Sequence, residues 1–227
     1  GVTVLYGGAN SAPMGGPAID QTWEFNGVTR SRITTTTTPG GLSSMGAAYD
    51  LIRQRTVIHG GIPDSFFPIA SNQTWEFDGT SWTQAATAAS PGPVERPGMC
   101  YSLAMQKVVL FGGIDPQTGG TDQTWVYDGV NWSALNVPGA RPSVRTACQL
   151  VYDPARGVCV LHGGINPVNG TLYSDTWEFV DIGKPFLCFV EHTTRDGAPA
   201  HTESGYLRFV DEVGTVEIVA SLPTGQT

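Results

Sequence analysis

The residues of this chain that could do chemistry are four histidines, four cysteines and a recurring acidic position, and their spacing decides between metal, redox and structural use. His59 and His162 each stand immediately before a glycine pair, at the place held elsewhere by Tyr6 and Phe111, so both are read as packed rings rather than ligands. His192 and His201 fall in the C-terminal stretch. Cys100, Cys148, Cys159 and Cys188 form no Cys-x-x-Cys pair and no dense framework, and read as small apolar core residues in strands. Asp20, Asn72, Asp122 and Asp175 recur just ahead of a Thr-Trp pair. A ring of such groups could hold a cation, but accepting backbone N–H bonds in a turn is the expected use. No metal site is assigned, and no nucleophile elbow, phosphate loop or Cys/His pair nominates a catalytic residue.

What positions these residues is a repeat. Glycine pairs begin at Gly7, Gly60, Gly112 and Gly163, and tryptophans stand at Trp23, Trp75, Trp125 and Trp177. A period of roughly 50 residues is one supersecondary unit repeated. Each unit has a short apolar run ending in Gly-Gly, a polar loop, and a Thr-Trp-x-aromatic run; these are strands bounded by turn residues, with no helix-length amphipathic pattern. The Trp and the aromatic two residues on (Phe25, Phe77, Tyr127, Phe179) share a strand face, because side chains alternate with period two. Each would contribute about 2 to 3 kcal/mol on full burial.

These features resemble kelch repeats: the glycine pair after a buried strand, the Trp following it, a second Trp seven residues on (Trp75 to Trp82, Trp125 to Trp132) and an Arg before the next strand (Arg96, Arg145). The resemblance covers residues 1 to about 179 and implies β-propeller blades of four antiparallel strands. Counting strands yields 14 where four complete blades need 16, because the first unit lacks its leading strand and the fourth its outer one.

Composition narrows the partners. Twenty-nine glycines and sixteen prolines without a Gly-x-y period indicate a turn-rich all-β protein. A net charge of -8 argues against nucleic acid and anionic membranes, which call for basic stripes. No apolar segment approaches the ~18 residues of a membrane helix.

After Phe179 the repeat stops, with Val180-Asp181 where Asp/Asn-Gly is expected and Lys184 at the second-Trp position. The pieces Gly183-Lys184-Pro185-Phe186-Leu187, Thr194-Arg195-Asp196-Gly197, Pro199, His201, Glu203, Gly205-Tyr206-Leu207-Arg208, Val216-Glu217 and Pro223-Thr224-Gly225 resemble the middle of the nitrobindin-like haem-binding β-barrel family. That resemblance implies a haem b carried on a histidine near the family's C-terminus, with peroxynitrite isomerisation as the activity, and it matches His201 to the family's distal-side histidine. No histidine follows His201 in these residues. Independently, Phe186 to Thr193, Glu203 to Val210 and Thr215 to Leu222 read as a three-strand meander needing a packing partner. The open edge of the fourth unit is the nearest one.

The reading is therefore all-β: a kelch-type β-propeller of four incomplete blades over residues 1–180, plus a C-terminal three-stranded antiparallel meander, nitrobindin-like, over 181–227. The expected function is non-catalytic binding of a protein or glycan through propeller loops, with Phe66, Phe67, Arg96 and Arg145 as contact residues. Phe66 and Phe67 either meet a partner or fold over the channel mouth. No cofactor is expected. The alternatives are a haem-binding, peroxynitrite isomerase-type protein with His201 at the haem, and a chimeric or fragmentary chain without independent activity. Open blade edges would favour homo-oligomers.

Overall fold

The computed structural model describes residues 1–9, 17–63, 69–115, 117, 119–137, 141–181, 187–195, 198–201, 205–210 and 215–220, with side chains through Phe179. The described residues are all-β, in several antiparallel sheets.

The first sheet holds β1 (Thr3–Tyr6), β2 (Thr22–Phe25) and β3 (Arg30–Ile33) in sequence order. The second holds β4 (Gly46–Asp50), β5 (Arg55–His59), β6 (Thr74–Phe77) and β7 (Trp82–Gln84). In the third, β8 (Gly98–Ser102) and β9 (Lys107–Phe111) are followed by a small hairpin of β10 (Ile114–Asp115) and β11 (Gly119–Gly120), then by β12 (Thr124–Tyr127) and β13 (Trp132–Leu135). The fourth runs β14 (Gln149–Asp153), β15 (Val158–His162), β16 (Thr176–Asp181), β17 (Leu187–Arg195) and β18 (Ala198–His201). A separate pair, β19 (Gly205–Val210) and β20 (Thr215–Ala220), completes the described strands.

The repeat is kept to the residue. Leu5, Ile58, Leu110 and Leu161 sit opposite Trp23, Trp75, Trp125 and Trp177 in the four sheets. The turn after each of the first three Trp strands closes on a side chain: Asn26, Asp78 and Asp128 each accept the N–H groups two and three residues on, at 2.8 to 2.9 Å. Such turns end a strand by giving its backbone a local partner. The fourth repeat has Val180 there, and β16 runs on to Asp181.

Neighbouring sheets pack face to face. Val4 and Tyr6 of the first lie against Ile58, Phe77 and Trp82 of the second. Val57 of the second meets Val108, Leu110, Tyr127 and Trp132 of the third. Val109, Phe111 and Val126 of the third meet Leu150, Leu161, Trp177 and Phe179 of the fourth. One backbone bond recurs at each junction: Gly8 N–H to Leu42 O, Gly61 N–H to Val94 O, Gly113 N–H to Arg145 O, at 2.8 to 2.9 Å. Gly60, at φ +74, comes so close to the segment entering the third sheet that a Cβ would stand 2.2 Å from Val94 O. That approach is why glycine occupies the strand end.

The C-terminal strands correct one expectation. Instead of a three-stranded meander there are two hairpins, β17 with β18 and β19 with β20. β17 pairs with β16 from Thr176↔His192 to Asp181↔Leu187, filling the outer place that the repeat leaves open. An unpaired edge of backbone N–H and C=O groups is satisfied by the first extended segment that reaches it.

Candidate functional site

Of the four loop residues singled out from sequence, Phe66 and Phe67 lie outside the described residues. Arg96 follows Val94-Glu95 on the way into β8, in a positive-φ conformation (51°); its side chain is about half exposed, 3.6 Å from the Glu95 carboxylate. Its backbone links the sheets, accepting from Ala147 N–H at 2.8 Å and donating to Ser44 O at 2.7 Å. Arg145 is fully enclosed. Its guanidinium forms a two-pronged pair with Asp175 at 2.5 and 2.8 Å, donates to Gly163 O at 2.9 Å and lies 4.1 Å from the Tyr173 ring. An arginine so committed is an internal tether; the segment before β14 carries it beneath the Gly-Gly turn, not out to a partner.

The acidic positions also use side-chain partners where backbone N–H groups were expected. Asp20 accepts from Tyr6 Oη at 2.9 Å and Thr38 Oγ1 at 2.8 Å, and Asp122 pairs with Arg141 at 3.0 Å. Asp175 accepts from Trp177 Nε1 at 2.7 Å, the role that Gln21, Gln73 and Gln123 play for their tryptophans. It is thus equivalent to the glutamines rather than to the other acids. Burial pushes the Asp175 carboxyl up, but the Arg145 and Trp177 hydrogen bonds outweigh it and hold it below the usual range.

His59 is the packed ring its repeat position predicts. It is fully buried, its Nδ1 2.9 Å from Thr74 Oγ1, its Nε2 3.2 Å from Gly92 O, and its ring 5.1 Å from Trp132. Burial pushes its pKa down to about 4. His162 keeps the threonine contact, 2.9 Å to Thr176 Oγ1, but is exposed.

Sequence reasoning missed a network between the second and third sheets. Arg53 pairs with Asp50 and Glu76, both at 2.7 Å, and Tyr127 Oη donates to Glu76 at 2.9 Å. The legible signal was the Asp-x-x-Arg spacing in the second unit and its copy at Asp153 and Arg156, which reaches Glu178. Where β4, β8 and β14 lie side by side, a groove of about 400 Å³ is lined by Tyr49, Leu51, Cys100, Leu103, Val151 and Tyr152. Among the described residues no group of three or more His, Cys, Asp or Glu converges as a metal site.

That leaves the C-terminal strands. His192 stands opposite Thr176 on β17, and His201 ends β18 opposite Thr193, so the two histidines come from adjacent strands at neighbouring register positions. This stretch is also where the chain is similar to known proteins. The family model of the THAP4-like, heme-binding beta-barrel domain matches residues 162–227. Peroxynitrite isomerase 2 of Mycobacterium marinum is 46% identical over 57 residues, which are 24% of this chain and 35% of that protein. Peroxynitrite isomerase 1 of Mycobacterium tuberculosis (strain H37Rv) is 44% identical over 57 residues, 24% and 34% of the two chains. The chain thus spans about a third of the length of the curated relatives it matches.

These matches correct the expectation of no cofactor: the family matched is a haem-binding one. The sequence reading gave most weight to the repeat, which covers more of the chain. The family match falls on the stretch around His201 instead. An imidazole is a common axial ligand or distal partner of a haem iron, and the matched stretch carries two histidines, His192 and His201.

Proposed function

We propose that the C-terminal segment belongs to a haem-binding β-barrel and that the molecule acts on peroxynitrite in the manner of the relatives it resembles. The similarity of residues 162–227 to the heme-binding barrel domain carries this reading. Bound haem would supply an iron able to coordinate and polarise a small oxidant. The chain's own contribution is His201, which by resemblance stands on the distal side, where an imidazole can give or take a proton. Backbone pairing of β17 with both β16 and β18 holds the strand that supports it.

A haemin titration of the full chain, followed at the Soret band, tests this. Saturable binding with a band shape that changes in His201→Ala supports it; a flat titration, or an identical band in the variant, removes it.

A second reading concerns residues 1–180, kept as a unit distinct from 181–227. It takes the four sheets as kelch-type propeller blades whose loops bind a protein or glycan. The recurring Gly8–Leu42, Gly61–Val94 and Gly113–Arg145 bonds favour it. On this reading Arg96, with its side chain about half exposed, would be a contact residue together with Phe66 and Phe67, and Arg145 would serve by holding its segment in place. Loss of capture on Arg96→Glu without loss of stability is the expected result.

A further inference from the structure

Cys100 on β8 and Cys159 on β15 are 59 residues apart in sequence, yet their Sγ atoms lie 3.4 Å from each other in the core between the third and fourth sheets. Both are buried, at 7% and 1% exposure. Nothing in the spacing of the cysteines announced this pair; the packing of two sheets made it. We propose that Cys100 and Cys159 are the site of an inter-sheet disulfide that staples the third sheet to the fourth, the sheet that continues into β17 and β18.

Three observations carry the proposal. First, closing the gap to a disulfide of about 2.05 Å requires about 1.4 Å of approach, and both strands belong to one packed cluster already in contact. Second, the thiols are not equivalent. Cys100 donates its S–H toward Cys159, which raises the Cys100 thiol; the same bond, aided by the Ser102 side chain, lowers Cys159. Cys159 is therefore suited to the second, internal attack, on Cys100 once that sulfur carries the reagent. Third, Cys100 is among the residues lining the groove between β4, β8 and β14, the side from which a small reagent would approach.

The reaction is thiol–disulfide exchange with a small-molecule disulfide. Cys100 Sγ bonds to one sulfur of the reagent, and the other leaves as a thiolate that takes up the Cys100 proton. Cys159 Sγ then attacks Cys100 Sγ, loses its own proton to the second leaving thiolate, and completes the cystine. Two protein S–H bonds are oxidised to one S–S bond, and one reagent disulfide is reduced to two thiols.

The test uses the full chain and oxidised glutathione, followed by unfolding in N-ethylmaleimide, intact mass and peptide mapping. The expected product has two of its four thiols blocked and one Cys100–Cys159 cross-linked peptide, with a thermal midpoint raised by roughly 10 °C over the reduced protein. Cys100→Ser and Cys159→Ser should each abolish the cross-link and the rise; either variant alone suffices if the other does not fold. Four blocked thiols after oxidant, or a cross-link through Cys148 or Cys188, overturns the proposal. None of these readouts depends on haem binding.

Discussion

At pH 7 the imidazole of His59 is neutral, held between Thr74, Gly92 and the Trp132 ring. Its folded pKa of about 4 lies below the usual value of about 6.5. As pH falls, the unfolded chain takes up the proton first. The stability it contributes is therefore full above about 6.5 and lost progressively as pH drops towards 4, a loss of about 3 kcal/mol. His59→Phe, which copies the Phe111 position, should flatten this dependence. Denaturant unfolding at pH 7 and 4.5 measures it, and an unchanged slope in the variant would assign the acid sensitivity to other groups. The ring's packed role was legible because a repeat lets one position be compared with its three copies. Arg145 was not legible: an Arg before a strand reads the same whether it turns outward or under the next Gly-Gly turn to Asp175.

At the scale of elements, β17 decides how the repeat region and the C-terminal segment are joined. Paired on both sides, it is an internal strand rather than an edge. Amides of Cys188 to His192 should exchange slower than those of the turn at Leu51–Gln54 by on the order of a hundredfold or more. Exchange as fast as the turn's would show that the β16 ladder does not hold in solution. The strand itself was readable from its β-branched and aromatic content, and the open edge of the fourth unit from the missing repeat residues. The division into two hairpins was not foreseen, although Asp196-Gly197 between β17 and β18 is the dipeptide that favours two-residue hairpin connections.

For the whole molecule, stability rests on contacts between sheets, and glycines separate that contribution from local strain. Gly79 and Gly60 both have positive φ, at +96 and +74. A Cβ at Gly79 meets nothing within 4 Å, whereas at Gly60 it collides with Val94 O. Gly79→Ala should cost about 1 to 2 kcal/mol for the left-handed conformation alone. Gly60→Ala should cost about 1 to 3 kcal/mol more, because the neighbouring sheet must shift. Equal midpoints for the two variants would mean that the sheets do not depend on this junction.

What the sequence determined by itself is local and periodic: strands from alternation, turns from Asn, Asp and Gly, and the equivalence of four units from their spacing, since each is written within a few residues of chain. The tertiary structure alone decided that β17 completes the fourth sheet, that Arg145 faces inward, that Arg53 and Tyr127 share Glu76, and that Cys100 meets Cys159. These depend on which faces pack and how deeply, and residues far apart in sequence acquire their surroundings only when the sheets close on one another.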